Sequence, residues 1–169
     1  MANLKELRSR ISSVSSTMQI TSAMKMVSAA KLSRAQDAII SMRPYAEKLT
    51  ELLQDLSSSV DDEISTTLTE ERELENVLIV AISSNRGLAG AFNTNIIKKV
   101  NQLRTEVYAQ QDVDVLTIGK KANDILKKSY DVFHHNQDIF DDLSFSSSVE
   151  ISKSIMYAFE EKKYDKVVL

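Results

Sequence analysis

Few residues in this sequence are of the types that carry out chemistry, and their spacing limits what they can do. The stretch Arg86-Gly87-Leu88-Ala89-Gly90 follows the apolar run Val77-Leu78-Ile79-Val80-Ala81-Ile82, where a phosphate-cradling loop of backbone N–H groups would sit. Its two glycines are three residues apart, so it matches neither G-x-G-x-x-G nor G-x-x-x-x-G-K-[ST]. The alternative is a tight strand-to-helix turn in which Gly87 and Gly90 supply backbone freedom and Asn85 tolerates a positive φ. His134-His135 lies beside Asp131, Asp138, Asp141 and Asp142. Adjacent residues of a strand face opposite ways, so the two imidazoles are poorly placed to share a metal, and a solvated acidic loop over Asp131–Leu143 is expected. The chain has no cysteine, none of its serines stands in G-x-S-x-G, and no acid and base converge. No catalytic residue, cofactor or metal is therefore expected.

The elements around these residues read as an α/β domain. Val77–Ile82 has the length and branching of a strand buried on both faces. A helix follows, with Phe92, Ile96, Ile97, Val100 and Leu103 on one face. Val113–Ile118 is a second strand ended by Gly119, and Lys120–Lys128 a short helix with Ala122, Ile125 and Leu126 inward. Ser147 with Glu150 resembles a capping box for a helix carrying Ile151, Ile155 and Phe159. Lys166–Leu169 opens a third strand in which the sequence stops, and the natural protein is expected to continue beyond it. Strand, helix, strand, helix, helix, strand implies a Rossmann-like domain with a parallel sheet over residues 73–169, truncated in its third strand.

Residues 1–57 read differently. Glycine is absent from residues 1–86, and apolar residues recur on a heptad. Position a is Leu4, Ile11, Met18, Lys25, Leu32, Ile39, Ala46 and Leu53; position d is Leu7, Val14, Thr21, Ser28, Ala35, Met42, Leu49 and Leu56. The exceptions, Thr21, Lys25 and Ser28, are neighbours, so the seam is interrupted once. The pattern predicts a long coiled-coil helix with Asn3 as N-cap and Glu6 at the third helical position, and with a kink or a new helix start at Pro44. It is expected to stop in Ser57-Ser58-Ser59 and the acidic Asp61-Asp62-Glu63, within a linker over residues 58–72. Such a helix cannot bury its stripe alone, so it requires an oligomer or a partner helix. Small residues and methionines from Ile20 to Lys31 permit close approach and adaptable packing, which fits either a loose stretch of coiled coil or a bearing against changing surfaces.

Charge separates the two parts. Residues 1–43 hold seven basic and two acidic side chains, whereas the rest of the chain is acidic, for a net charge of −3. A basic rod suits an acidic protein surface, anionic lipid or nucleic acid. For nucleic acid it lacks aromatic interleaving. Met1–Glu6 has no signal-peptide core, and no apolar run approaches the roughly 18 residues needed to span a bilayer, so membrane association is expected only through partners.

Three segments carry a resemblance. Ile20-Thr21-Ser22-Ala23-Met24-Lys25-Met26-Val27-Ser28-Ala29-Ala30-Lys31-Leu32 and Arg43-Pro44-Tyr45-Ala46 are similar to the N-terminal signature of F-type ATP synthase gamma subunits. Ser84-Asn85-Arg86-Gly87-Leu88-Ala89-Gly90-Ala91-Phe92-Asn93 resembles that family's S-D-R-G-L-C-G-x-x-N turn, with Asn85 for the acidic residue and Ala89 for the cysteine. The resemblance implies a non-catalytic central-stalk subunit whose long helix pairs with a C-terminal helix absent from this sequence. The pair would turn inside a ring of alpha and beta subunits, with the epsilon subunit and the c-ring as further partners. It further implies that Ile20, Thr21, Met24, Lys25, Val27, Ser28 and Lys31 meet the ring, while Asn85, Arg86, Gly87 and Gly90 are read as a structural turn, and the simple N-terminus leads to the expectation of a complex on the cytoplasmic face of a bacterial plasma membrane. A nucleotide-binding enzyme with a dimerising arm and a basic coiled-coil nucleic-acid binder are the competing readings.

Overall fold

A computed structural model of the chain describes residues 3–59, 67–70, 72–141 and 143–169. It divides into two compact units, residues 1–63 and 64–169. The expected loop at Asp61-Asp62-Glu63 and the side chain of Asp142 lie outside the described residues.

The first unit is one helix, α1 (Leu4–Ser59), of 56 residues and about 84 Å at 1.5 Å per residue. Asn3 Oδ1 accepts the Lys5 amide at 3.2 Å, as an N-cap should, while the Glu6 carboxylate pairs with Arg10 one turn on. The helix continues unbroken through Pro44, and its last residue, Ser59, lies in the serine run where a stop was expected. Serine is a weak helix former but does not forbid helix, so it marks an end only loosely. The whole heptad stripe from Leu4 to Leu53 is exposed within this chain. Hydroxyls on the helix are satisfied locally: Thr17, Thr21 and Thr50 donate to the carbonyls of Ser13, Thr17 and Ala46.

The second unit is a three-layer α/β domain. Its strands are β1 (Asn76–Ile82), β2 (Asp112–Ile118), β3 (Val132–Asn136) and β4 (Lys166–Val168), in the order β3-β2-β1-β4, all parallel. Between them run α2 (Phe92–Gln102), continued by a π-helical turn (Leu103–Val107), then α3 (Lys120–Leu126) and α4 (Phe145–Glu160). Alternate residues of the buried strands face opposite layers. Val77, Ile79, Ala81, Val113 and Val115 pack with Val100, Ala122 and Leu126 of α2 and α3. Leu78, Val80, Leu116 and Ile118 pack with Ile151 and Ala158 of α4 and with Tyr164.

Three details differ from expectation. Val132–Asn136 is a strand, so the sheet has four strands and Lys166–Val168 is the fourth. An edge strand only half buried lacks the apolar run that betrays a central one. The α4 cap is Ser144, whose Oγ accepts the Ser147 amide at 3.3 Å, three residues earlier than the expected Ser147. Finally, Ile125 is half exposed, while Ala122 and Leu126 carry the inward face of α3. No helix among the described residues is long and apolar enough to cross a membrane.

Candidate functional site

The residues expected to meet partners all lie on one exposed turn-and-a-half pair of α1, but not on one face. At 100° per residue, Thr21, Lys25 and Ser28 fall on the heptad seam with Val14 and Met18. Ile20, Met24, Val27 and Lys31 fall on a second stripe, about 100° around the helix. Ile20, Met24 and Val27 are 62%, 58% and 57% exposed, so this second stripe is apolar and bare. Thr21 turns its hydroxyl back to the Thr17 carbonyl at 2.7 Å, which leaves its methyl group facing outward. A shallow groove with mostly apolar walls, lined by Val14, Thr17, Met18, Thr21, Ser22 and Lys25, results where the seam residues are small. The interruption of the heptad is therefore an indentation with a single cation at its end. The helix here offers two apolar surfaces, which is more than one pairing helix can cover.

The turn after β1 is held by side chains. Asn93 Oδ1 accepts the Ser84 amide at 3.0 Å and packs against its hydroxyl. Asn85, which could tolerate a positive φ, does not take one. Its Oδ1 accepts the Lys120 amide at 3.0 Å and its Nδ2 donates to the Gln137 carbonyl at 2.8 Å, tying together the turns after β1, β2 and β3. The left-handed backbone falls on Leu88, with φ 63°, and on Gly90, with φ 57°. A Cβ on Gly90 would meet nothing, so glycine serves backbone conformation there; Gly87 needs neither a positive φ nor close approach. Arg86 and Leu88 are exposed, Leu88 completely.

In a parallel sheet of this order the chain reverses direction of winding between β1 and β4, and ligands of such folds bind at the carboxyl end of that junction. Here the junction is lined by Val80, Ile82, Ile96, Lys99, Val100, Leu103, Val168 and Leu169, a mainly apolar surface with Lys99 as its one charged side chain. The two histidines lie in β3, with His134 exposed and His135 Nδ1 2.9 Å from the buried Thr117 hydroxyl. Among the described residues no three His, Cys, Asp or Glu side chains gather in a metal-binding arrangement. Among the described residues one titratable group is strongly perturbed: burial, then the hydrogen bond to Asp114 at 2.6 Å and the Asp114 charge, push the Tyr164 hydroxyl well above its ordinary value. It sits at the opposite, amino end of the strands and braces β4 against β2.

The family model for ATP synthase matches residues 3–169. A curated ATP synthase gamma chain from Christiangramia forsetii is 64% identical over 169 residues, all of this chain and 59% of the relative. Gamma chains from Flavobacterium johnsoniae and Cytophaga hutchinsonii are 58% and 49% identical, covering 100% and 99% of this chain and 59% and 58% of their own lengths. The chain belongs to the ATP synthase gamma chain family. It spans less than two thirds of the length of these gamma chains.

Within this gamma-chain sequence, two structural positions where the ends of β1 and β2 meet are not revealed by spacing alone. Gly119 has φ 95°, and a Cβ there would lie 2.1 Å from the Ser83 carbonyl oxygen. Ser83 itself is buried; its amide donates to the Ile118 carbonyl at 2.7 Å and its Oγ accepts the Ala122 amide at 3.0 Å. The only sequence signal for either was a glycine at the end of a predicted strand.

Proposed function

We propose that this chain is the N-terminal part of the central-stalk rotor subunit of a proton-translocating F-type ATP synthase. It is non-catalytic; it couples rotation driven by the ion gradient to ATP synthesis or hydrolysis in a ring of alpha and beta subunits, and so governs ATPase activity and proton flow. The observation that carries this reading is the second exposed stripe, Ile20, Met24 and Val27, beside the heptad seam. A helix that only dimerised would need one stripe. A shaft needs one for its paired helix and others for the ring around it. The C-terminal helix of the full-length subunit fills the first role. Acidic loops of the beta subunits, the epsilon subunit and the c-ring are the remaining partners, and the complex is peripheral on the cytoplasmic face of the bacterial plasma membrane.

Mechanism follows from asymmetry. A shaft without threefold symmetry presents a different face to each of three catalytic sites. Differential contact free energy then biases each site between open and closed states. The basic residues Lys25 and Lys31, both exposed, flank the bare methionine and face acidic loops during each passage. The mainly apolar lining of the junction between β1 and β4, with Lys99 as its one charged side chain, favours an interaction protein over a nucleotide-binding enzyme.

The test is a chimaera in which residues 1–169 replace the matching segment of the Christiangramia forsetii gamma chain, co-expressed with that organism's alpha and beta subunits. A stoichiometric complex with ATPase activity that forms only with the chimaera supports the reading. A stable chimaera that purifies alone as a dimer overturns it. In the complete complex, Met24→Lys should lower proton pumping per ATP hydrolysed, because a second cation joins Lys31 in the stripe; an unchanged ratio contradicts the assignment of that stripe to the ring.

A further inference from the structure

The chain enters the sheet through the segment before β1, and two side chains, Arg72 and Asp165, fasten it. Arg72 lies in the extended stretch before β1, with 9% of its side chain exposed. Its Nη1 donates to the Phe159 carbonyl in the last turn of α4 at 2.7 Å, and the guanidinium lies 4.5 Å over the Phe159 ring. Its Nη2 donates to the Thr67 carbonyl at 3.3 Å and to Glu70 Oε2 at 3.1 Å, and its Nε donates to the same carboxylate oxygen at 3.2 Å. One fork of donors thus binds the 3-10 turn Thr67–Thr69, Glu70 and the carboxyl end of α4, where a cation is also favoured by the helix dipole. A few residues on, Asp165 Oδ2 accepts the Glu75 and Asn76 amides at 3.0 and 2.8 Å. The segment is therefore pinned at two points to the α4–β4 arm.

We propose that Arg72 is the positioning residue that delivers force carried along the chain to α4 before it reaches the start of β1, where Asp165 holds the Glu75 and Asn76 amides. This rests on the rotor reading. A strand pulled from its end yields one hydrogen bond at a time, whereas a segment knitted together by the Arg72 bonds to Thr67 and Glu70 passes load to α4 through the Phe159 carbonyl and ring. Lysine in place of Arg72 keeps the charge but cannot span Phe159 and Thr67 together.

The experiment uses the chimaeric subunit in the complete complex, reconstituted in vesicles, with Arg72→Ala and Arg72→Lys. Arg72→Ala is expected to keep ATPase activity without a gradient within about twofold, to lower ATP-driven proton pumping against a gradient roughly fivefold, and to accelerate amide exchange at residues 67–75 on the order of tenfold, with β1 and β2 amides unchanged. Arg72→Lys should fall between. Undiminished pumping alongside accelerated exchange overturns the inference, because the clamp then exists and bears no load. Loss of ATPase and pumping together, with faster exchange in β1 and β2, overturns it as well, because Arg72 then merely folds the unit. An unsubstituted chimaera that assembles but never pumps defeats the rotor reading itself.

Discussion

At the scale of single residues the stiffest constraint is where the turns after β1 and β2 touch. Gly119→Ala places a methyl group against the Ser83 carbonyl and forces an L-residue to φ 95°, so a loss of about 2–4 kcal/mol is expected in urea unfolding. Gly87→Ala meets its nearest atom, Lys121 Cε, at an ordinary 3.9 Å and should change stability by no more than about 0.5 kcal/mol. Equal losses would contradict this ranking of the glycines. Tyr164 gives a pH signature. Its hydroxyl loses its proton less readily in the folded chain than at the unperturbed value of 10.0, so its contribution is complete below pH 10 and declines above it, as the unfolded chain ionises first. Tyr164→Phe should lower stability at pH 8 and show a shallower decline between pH 10 and 11; parallel decline of both proteins would remove Tyr164 from the account. The sequence announced the turn through its glycines, but not which glycine matters. That depends on a carbonyl 36 residues away, Ser83 against Gly119, which no local pattern encodes.

At the scale of elements, periodicity was legible wherever burial was one-sided or complete. The heptads of α1 and the apolar runs of β1 and β2 stand in the sequence as they stand in the structure. β3 was not legible, because Val-Phe-His-His-Asn mixes polarity on a half-buried edge beside β2 and was read as acidic loop. The start of α4 was misplaced for a related reason: Ser144, Ser146, Ser147 and Ser148 are all capping residues by type, and only geometry selects Ser144. Ser144→Ala should therefore cost about 1 kcal/mol and Ser147→Ala clearly less, measured by thermal or urea unfolding; the reverse order would restore the later cap. For α1, a seam exposed from Leu4 to Leu53 leaves its apolar stripe without the tertiary packing that supplies most helical stability. A peptide of residues 3–59 should gain helicity with concentration in circular dichroism. Full helicity independent of concentration would mean that the stripe needs no partner.

At the scale of the whole molecule, family membership was legible from three short segments, and matches along residues 3–169 establish it. The split of the α1 residues into two stripes was not part of that resemblance; it emerges once 3.6 residues per turn are applied to a continuous helix. The claim that depends most on this geometry is that the chain turns as a shaft. Rotation is measured directly by labelling the α/β unit. The sequence contains no cysteine, so Lys128→Cys on an exposed turn gives a single attachment point within residues 1–169 of the chimaera, with the remaining subunits cleared of reactive thiols. Immobilised through the alpha and beta ring and given ATP, the label should turn continuously in one direction and pause at three angular positions, one for each catalytic site. A complex that hydrolyses ATP at the same rate while the label stays fixed would contradict the account.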